Sequence, residues 1–126
     1  MKYLLDTHAL LWATGDSGRL SATARNIITT EQNLFVSIAT FWEIGIKKNI
    51  GKLNIPFSLT ELAGYCFSQH ITILPIQPAH IDALDQLPNI HGDPFDRLLI
   101  AQARTEQLIL ITKDANIHRY PVRTLW

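Results

Sequence analysis

The sequence predicts an α/β fold in which a central, mostly parallel sheet is flanked by helices. Short, continuous apolar runs such as Tyr3–Leu5 and Leu108–Ile111 are typical of strands that are buried on both faces. Segments with helical patterning separate these runs along the chain. Strands that alternate with helices pair in parallel, with helices covering the sheet.

Length and composition favour a single domain over residues 1–126. The chain has 11 Lys and Arg residues against 11 Asp and Glu residues, and 47% of its residues are hydrophobic. A chain of this size buries about two-thirds of its unfolded surface, so the core requires no disulfide or structural metal. The single cysteine, Cys66, excludes an internal disulfide and a cysteine-rich zinc site.

The sequence also predicts a cytoplasmic protein with no membrane partner. No apolar run approaches the length of a membrane helix. Polar residues follow Leu5, where a signal peptide would still be apolar. The net charge of zero gives no general attraction to nucleic acid, so a role with RNA or DNA has to come from a local site.

Two strands and four helices are expected before residue 70. Ser21 is a typical N-cap, Gly51 stops a helix, and the Ser58 to Glu61 spacing is that of a capping box. In chain order we expect a strand over Tyr3–Leu5, a helix starting over Ala9–Ala13, a helix from Ser21 to about Thr30, a strand over Leu34–Val36, a helix from about Ile38 to Ile50, and a helix from Ser58 toward His70.

The rest of the chain is expected to add two helices and up to three strands. Pro75 ends one strand, and Pro94 is well placed for the first position of a helix that Asp93 caps. We expect a strand over Ile71–Leu74, a helix from about Pro78 to Gln86, a loop containing Gly92, a helix from Asp93 through about Gln107, a strand over Leu108–Ile111, and a fifth strand around Val122.

Two acidic residues follow predicted strands. Asp6 comes directly after the first strand, and Asp114 comes shortly after the fourth. Ligands of an open parallel sheet bind beyond the carboxyl ends of its strands, so these two residues emerge at one edge if their strands are neighbours. The simpler alternative is that each is a helix N-cap or a turn residue.

Two further acids lie on predicted helices. Asp96 falls at the third position of the helix that Asp93 caps, where it either complements the helix dipole or projects toward the acids at the strand ends. Glu43 lies among Phe41, Trp42 and Ile44, in a helix that is apolar on almost every side. A carboxylate buried there needs a counter-charge. A pair with Lys47 is the simpler alternative for Glu43.

Converging carboxylates would repel one another and destabilise the fold. A divalent cation resolves that conflict, since Mg²⁺ and Mn²⁺ prefer oxygen ligands. A carboxylate-rich metal site of this kind hydrolyses phosphodiesters by activating a water molecule and stabilising charge on the leaving oxygen.

Other chemistries find less support. The five histidines show no zinc-motif spacing, and His8 is expected to be a surface or packing residue. Cys66 lies in an apolar helix and is expected in the core. There is no phosphate loop and no dinucleotide-binding glycine fingerprint.

The sequence resembles the PIN-domain ribonucleases, and among them the VapC-type toxins of toxin–antitoxin pairs. The resemblance is carried in order by YLLDTHALLW, SIATFWEIGIKKNIGKL, HGDPFDRLLIAQA, ITKDANI and YPVRTLW, which together extend along essentially the whole chain. The DPFDRLLIAQA and WEIGIK segments are its most distinctive parts. The resemblance implies a three-layer PIN-like fold and a metal-dependent endoribonuclease.

The resemblance also implies a particular site. The four acids of the family fall on Asp6, Glu43, Asp96 and Asp114, which would hold one or two Mg²⁺ or Mn²⁺ ions. Thr112 matches the hydroxyl residue that accompanies the last acid and would help to orient ligands. Asp93 and Arg97 belong to the same matched segment and are expected to support the start of the helix.

The implied partners are RNA, a small cognate antitoxin and a second copy of the chain. The apolar stretch from Phe41 to Ile46 exceeds what a one-sided amphipathic helix needs, which indicates either a partner surface or a helix enclosed in its own domain. Lys47, Lys48 and Lys52 form a modest basic patch that either contacts phosphates or is a solvated helix end.

Three other classes of protein compete with this interpretation. A receiver-like signalling domain resembles the predicted fold, but that class has paired acids after its first strand and an Asp after its third. Here Thr7 and His8 follow Asp6, and the third strand ends at Pro75. A dehalogenase-like phosphatase requires Asp-x-Asp after the first strand, which is also absent. The third alternative is a module that binds metal without catalysis.

Overall fold

A computed structural model describes residues 1–126 and contains five strands and six α-helices. The strands are β1 Tyr3–Leu5, β2 Leu34–Ser37, β3 Ile71–Leu74, β4 Ile109–Ile111 and β5 Thr124–Leu125. The α-helices are α1 Thr7–Gly15, α2 Ala22–Thr30, α3 Ile38–Asn49, α4 Leu59–Ser68, α5 Pro78–Ala83 and α6 Pro94–Glu106. Three short 3-10 helices lie at Ser17–Arg19, Leu84–Gln86 and Ile117–Arg119.

The strands form one parallel sheet in the order β3-β2-β1-β4-β5. The central strand is β1, where Leu5 is aligned with Val36 of β2 and with Ile111 of β4. The three residues of β1 are all buried, as its continuous apolar sequence predicted. The predicted α/β class with a parallel sheet is therefore confirmed.

Helices cover the sheet on both faces and create two hydrophobic clusters. On one face, Leu5 of β1 packs with apolar residues of α1 to α4, including Leu10, Ile44 and Leu62. On the other face, Leu4 packs with Leu99 and other residues of α6 and with the segment that precedes β5. Successive residues of a strand point to opposite faces, so one three-residue strand contributes to both clusters.

The caps that the sequence predicted are present. Ser21 accepts a hydrogen bond from the Ala24 N–H at 3.0 Å and begins α2. Ser58 and Glu61 form the reciprocal capping box of α4. Asp93 caps α6 with Pro94 at its first position. These signals are local, so neighbouring residues are enough to reveal them.

Four predicted boundaries differ from the structure. The first helix begins at Thr7, before Ala9, because Asp6 caps it. The helix from Pro78 ends at Ala83 and continues only as a 3-10 turn, since Leu87 precedes Pro88 and adopts an extended backbone. Leu108 lies outside β4.

The fifth strand lies over Thr124–Leu125 instead of around Val122. The Val122 N–H donates to the Tyr120 carbonyl at 2.8 Å in a tight turn around Pro121. Pairing with β4 therefore begins only at Arg123, whose carbonyl accepts from the Leu110 N–H.

Cys66 lies on α4 with no exposed surface, as the sequence predicted for a core residue. Burial raises the pKa of its thiol to about 11. The thiol is therefore protonated at neutral pH and is a packing residue. Among the helices, none is both long and apolar enough to cross a membrane.

Candidate active site at the carboxyl edge of the sheet

Asp6 and Asp114 lie at the same edge of the sheet, where neighbouring strands end. The β1–β4 pairing aligns Leu5 with Ile111, and the Asp6 N–H donates to the Ile111 carbonyl at 3.1 Å. The charge of Asp114 contributes to raising the pKa of Asp6. The two carboxylates are therefore close enough to repel each other.

Asp6 is a buried carboxylate with a structural role as well as a candidate chemical one. Its Oδ1 accepts the Ala9 N–H at 2.8 Å, so the simpler interpretation of Asp6 as a helix N-cap is correct in itself. Burial raises its pKa, against the lowering effects of the Thr112 hydroxyl, the Ala9 N–H and the nearby His8. The net shift is upward, so the ionised form is disfavoured without a compensating positive charge.

Thr112 links the two acids. Its hydroxyl is buried, lowers the pKa of Asp6 and accepts the Asp114 N–H at 3.0 Å. Asp114 in turn accepts the Asn116 N–H at 2.7 Å through Oδ1, so it also has the turn role that the sequence left open. One carboxylate oxygen of Asp114, Oδ2, makes no hydrogen bond within the protein.

Glu43 is buried on α3, with 6% of its surface exposed, and each of its carboxylate oxygens has a partner. Oε1 accepts the Thr7 hydroxyl at 2.7 Å, and Oε2 lies 2.7 Å from Lys47 Nζ. The counter-charge that burial demands is thus supplied by Lys47, one helical turn away. Thr7 was not expected in the site; its position directly after Asp6 was the available signal.

Asp96 lies in the first turn of α6, where Asp93 fixes its backbone. The Asp96 N–H donates to Asp93 Oδ1 at 3.0 Å, so Asp93 supports the helix start as expected. Burial raises the pKa of Asp96 to about 6; a hydrogen bond with His91 opposes the shift, and the charges of Asp93, Asp114 and Glu43 add to it. Asp96 therefore lies within electrostatic range of two of the other candidate acids.

His91 and Tyr120 form a polar cluster beside Asp96, and neither residue was expected in the site from the sequence. His91 Nε2 lies 3.2 Å from Asp96 Oδ2, and Nδ1 lies 2.7 Å from the Tyr120 hydroxyl. Burial alone would lower the pKa of His91, but its bonds with Tyr120 and Asp96 raise it overall. Both residues lie in segments that carry the family resemblance, which was the only signal for them.

Arg97 anchors the loop before α6. Its guanidinium donates to the Pro88 carbonyl at 2.9 Å and to the Tyr120 hydroxyl at 3.0 Å. It therefore holds the segment leading into the helix, which is a wider role than support of the first turn alone. His8, expected at the surface or in packing, is exposed and lies against Trp12 with ring centroids 5.4 Å apart.

The donor chemistry of these residues fits a hard divalent cation, since all four candidate ligands are carboxylates. Their arrangement is nevertheless not that of a formed metal centre. No three His, Cys, Asp or Glu side chains are placed to hold one ion. Lys47 instead contacts Oε2 of Glu43, and His91 contacts Oδ2 of Asp96.

Comparison with known proteins identifies the family. A model of the PIN domain family matches residues 3–122, so the chain belongs to that family. Among curated proteins, it is similar to Ribonuclease VapC22 of Mycobacterium tuberculosis. The two are 31% identical over 125 residues, and the match covers 94% of this chain and 92% of the relative.

Solved structures share the fold along nearly the whole chain. VapBC2 from Rickettsia felis, bound to a DNA fragment from its promoter, matches with a TM-score of 0.75 at 15% identity and covers 100% of this chain and 99% of that one. DNA-bound VapBC from Salmonella typhimurium matches with a TM-score of 0.70 at 16% identity and covers 99% of this chain and 97% of that one. A toxin–antitoxin complex from Klebsiella pneumoniae matches with a TM-score of 0.66 at 19% identity and covers 99% of this chain and 97% of that one.

Proposed function

We propose that this PIN-domain protein is an endoribonuclease that depends on Mg²⁺ or Mn²⁺ and acts as the toxin of a toxin–antitoxin pair. The observation that carries the proposal is the electrostatic coupling of Asp6, Glu43, Asp96 and Asp114 at the carboxyl edge of the sheet. The full-length similarity to a protein named as a ribonuclease supports it.

In this proposal, Asp6, Glu43, Asp96 and Asp114 hold one or two ions. A bound divalent cation would lower the pKa of a water molecule and stabilise charge on the leaving oxygen of an RNA phosphodiester. Glu43 would have to exchange Lys47 or Thr7 for the ion, since each of its oxygens has a partner. Asp96 would offer Oδ1, because His91 contacts only its Oδ2.

The surrounding residues position the acids. The Ala9 N–H fixes one oxygen of Asp6, and the Thr112 hydroxyl holds the backbone of Asp114. Asp93 fixes the backbone of Asp96, and Arg97 secures the loop that precedes it. Asp6, Asp96 and Asp114 are therefore held at helix starts and strand ends, which are rigid supports for a metal site.

We further propose a small antitoxin as the inhibitory partner and a homodimer as the assembled form. The structural neighbours include toxin–antitoxin complexes, which supports the first point. For the second, α3 exposes an apolar stripe, which we call the α3 stripe. It consists of Ile38, Trp42, Ile46 and Ile50. Trp42 is 64% exposed, and apolar surface of this kind marks protein contacts.

A cleavage assay tests the nuclease proposal. We expect the purified protein to cut single-stranded RNA with Mg²⁺ or Mn²⁺ and to lose that activity in excess EDTA. Asp6→Asn and Asp96→Asn should each lower the rate at least about a hundredfold, because loss of a direct ligand costs more than loss of a group behind it.

Asp82→Asn is the matched control, since Asp82 is an exposed residue of α5. It should cleave at the wild-type rate, and circular dichroism should show that all three variants are folded. Equal cleavage in EDTA, or by both site variants, would falsify the proposal.

A further inference from the structure

A groove lies along α1. It has a volume of about 630 Å³ and lies between α1, the turn after it and the segment 52–57. We call it the α1 groove. Its polar and aromatic lining includes Thr7, His8, Trp12, Arg19, Lys47 and Lys52. Thr7 and Lys47 both bind the Glu43 carboxylate, so this part of the groove lies next to one of the four candidate acids.

The α1 groove carries a net positive charge. Arg19, Lys47 and Lys52 line it, and Asp16 is its only acidic lining residue. Lys47 is paired with Glu43, but no carboxylate lies within ion-pair distance of Arg19 or Lys52. Two uncompensated cations next to a site for phosphodiester cleavage favour an anionic ligand.

Trp12, which lines the same groove, is the centre of an aromatic cluster with His8 and Trp126, which we call the Trp12 cluster. The Trp12 ring is partly exposed, and the Arg19 guanidinium lies 4.6 Å from its centroid. His8 and Trp126 pack against Trp12 with centroids 5.4 and 5.7 Å away. Lys113, next to Asp114 in the chain, approaches the Trp12 ring to 6.0 Å.

Aromatic rings interleaved with cations are the combination that binds single-stranded nucleic acid. The rings stack on bases, and the cations follow the phosphates. Bases within an A-form duplex are already stacked on one another and cannot reach such a surface. The groove therefore suits an unpaired strand.

We propose that the α1 groove binds the unpaired nucleotides next to the cleaved phosphodiester, with Arg19 and Lys52 contacting phosphates and the Trp12 cluster stacking on a base. This inference rests on the proposed nuclease function and assigns the surface that holds its substrate. None of the residues of the α3 stripe lines this groove, so the two surfaces are distinct.

Binding of a labelled oligonucleotide tests the groove directly. Fluorescence anisotropy with a fluorescein-labelled oligouridine of about 12 nucleotides, in EDTA to prevent cleavage, gives the dissociation constant at several salt concentrations. We expect Arg19→Gln/Lys52→Gln to bind at least about tenfold more weakly. Its slope of log affinity against log salt should be shallower by about 1.4, since each phosphate contact to a single strand adds about 0.7.

The matched control is Lys2→Gln/Arg123→Gln, which removes the same two charges from exposed residues at the opposite, amino edge of the sheet. It should bind oligouridine like the wild type. Trp12→Leu should weaken binding at least about fivefold with an unchanged salt slope, because it removes stacking and no charge. Trp12→Phe should retain most of the affinity, which separates stacking from any loss of folding.

Cleavage kinetics in Mg²⁺ provide a second measurement. We expect Arg19→Gln/Lys52→Gln, the groove double variant, to raise KM about tenfold and to leave kcat within about twofold. This is the result of losing contacts that bind the substrate and the transition state equally. If the wild type cleaves RNA and the groove double variant has the same KM and the same affinity for oligouridine as the wild type, the groove inference is wrong and the nuclease proposal stands. No cleavage and no RNA binding by the wild type would instead overturn the nuclease proposal, and the groove inference with it.

A protein ligand is the remaining alternative outcome. If the groove variant binds oligouridine normally but self-associates less than the control in sedimentation velocity, the groove is a protein contact and the RNA assignment is wrong. A duplex competitor that displaces oligouridine as well as a single strand does would also contradict it.

Discussion

Asp96 is a residue at which the metal-free site is destabilised. Burial and three neighbouring acids raise its pKa from 3.8 to about 6, so its ionised form is disfavoured in the folded protein. The protonated form is stable at low pH, and the folded state loses stability as pH rises from about 4 through about 6. At neutral pH, this carboxylate therefore favours binding of a cation.

Replacing Asp96 should stabilise the metal-free protein at neutral pH. We expect Asp96→Asn to unfold at a higher urea concentration than the wild type in EDTA, and the difference should grow between pH 4 and pH 7. Mn²⁺ should raise the melting temperature of the wild type and have a much smaller effect on the variant, since ligands stabilise the state that binds them.

Asp82→Asn serves as the control here as well, because it removes an exposed charge from α5. It should respond to Mn²⁺ like the wild type. A stability difference between Asp96→Asn and wild type that is constant with pH would contradict the assigned pKa shift.

The sequence predicted the residue types of the site better than their partners. The burial of Glu43 follows from its apolar neighbours, and Lys47 lies at the right helical spacing. Thr7 and His91 could not be found in this way, since Thr7 contacts a residue 36 positions away and His91 contacts Tyr120, 29 positions away. Such contacts depend on how elements pack.

At the scale of elements, the Tyr120 hydroxyl joins three segments. Tyr120 itself lies just after the 3-10 helix Ile117–Arg119. Its hydroxyl forms hydrogen bonds with His91 in the loop before α6 and with Arg97 in α6. Tyr120 is 4% exposed and its ring belongs to the core. The hydroxyl therefore fixes the loop whose His91 contacts Asp96.

Removing this hydroxyl should loosen the loop and keep the core. We expect Tyr120→Phe to lower the free energy of unfolding by about 1–3 kcal/mol, since the partly buried His91 and the charged Arg97 each lose a hydrogen bond. Hydrogen exchange should accelerate over residues 88–93. Urea denaturation and mass-spectrometric exchange measure the two effects.

Tyr3→Phe is the matched control, because the Tyr3 ring is also buried and its hydroxyl only approaches the Met1 sulfur at 4.0 Å. It should change both quantities little. Equal effects of the two variants would show that the Tyr120 hydroxyl has no particular role in the loop.

Helices with capping residues could be predicted from the sequence, whereas the position of β5 could not. Ser58 and Asp93 begin helices through contacts that span three residues. By contrast, β5 has two residues and no apolar run, and its position follows from pairing with β4. A strand defined by its neighbour cannot be located from its own sequence.

At the scale of the whole molecule, the strand order brings the site together. Asp6 and Asp114 are far apart in sequence, but β1 and β4 are neighbours in the centre of the sheet. The sequence showed that both acids follow strands. It did not show that these strands are adjacent, since several orders are compatible with the same alternation of elements.

Self-association is the expected behaviour of the whole molecule. Sedimentation velocity at micromolar concentration should give a species of about twice the 14.3 kDa chain. Trp42→Glu should shift it to the monomer, because a charge on the α3 stripe would be buried in the contact.

Phe67→Glu is the control for this change. Phe67 is 86% exposed on α4 and lies outside the α3 stripe, so its replacement should leave the dimer intact. A wild-type protein that sediments only as a 14 kDa species would contradict the dimer.

The protonated, enclosed thiol of Cys66 makes the native chain suitable for fluorescent labelling at a chosen position. A maleimide dye reacts with exposed thiolates, so one cysteine introduced beside Trp12 would react far faster than Cys66. Energy transfer from that dye to a dye at either end of an oligonucleotide would then report the direction in which a strand lies along α1. No native residue would have to be removed beforehand.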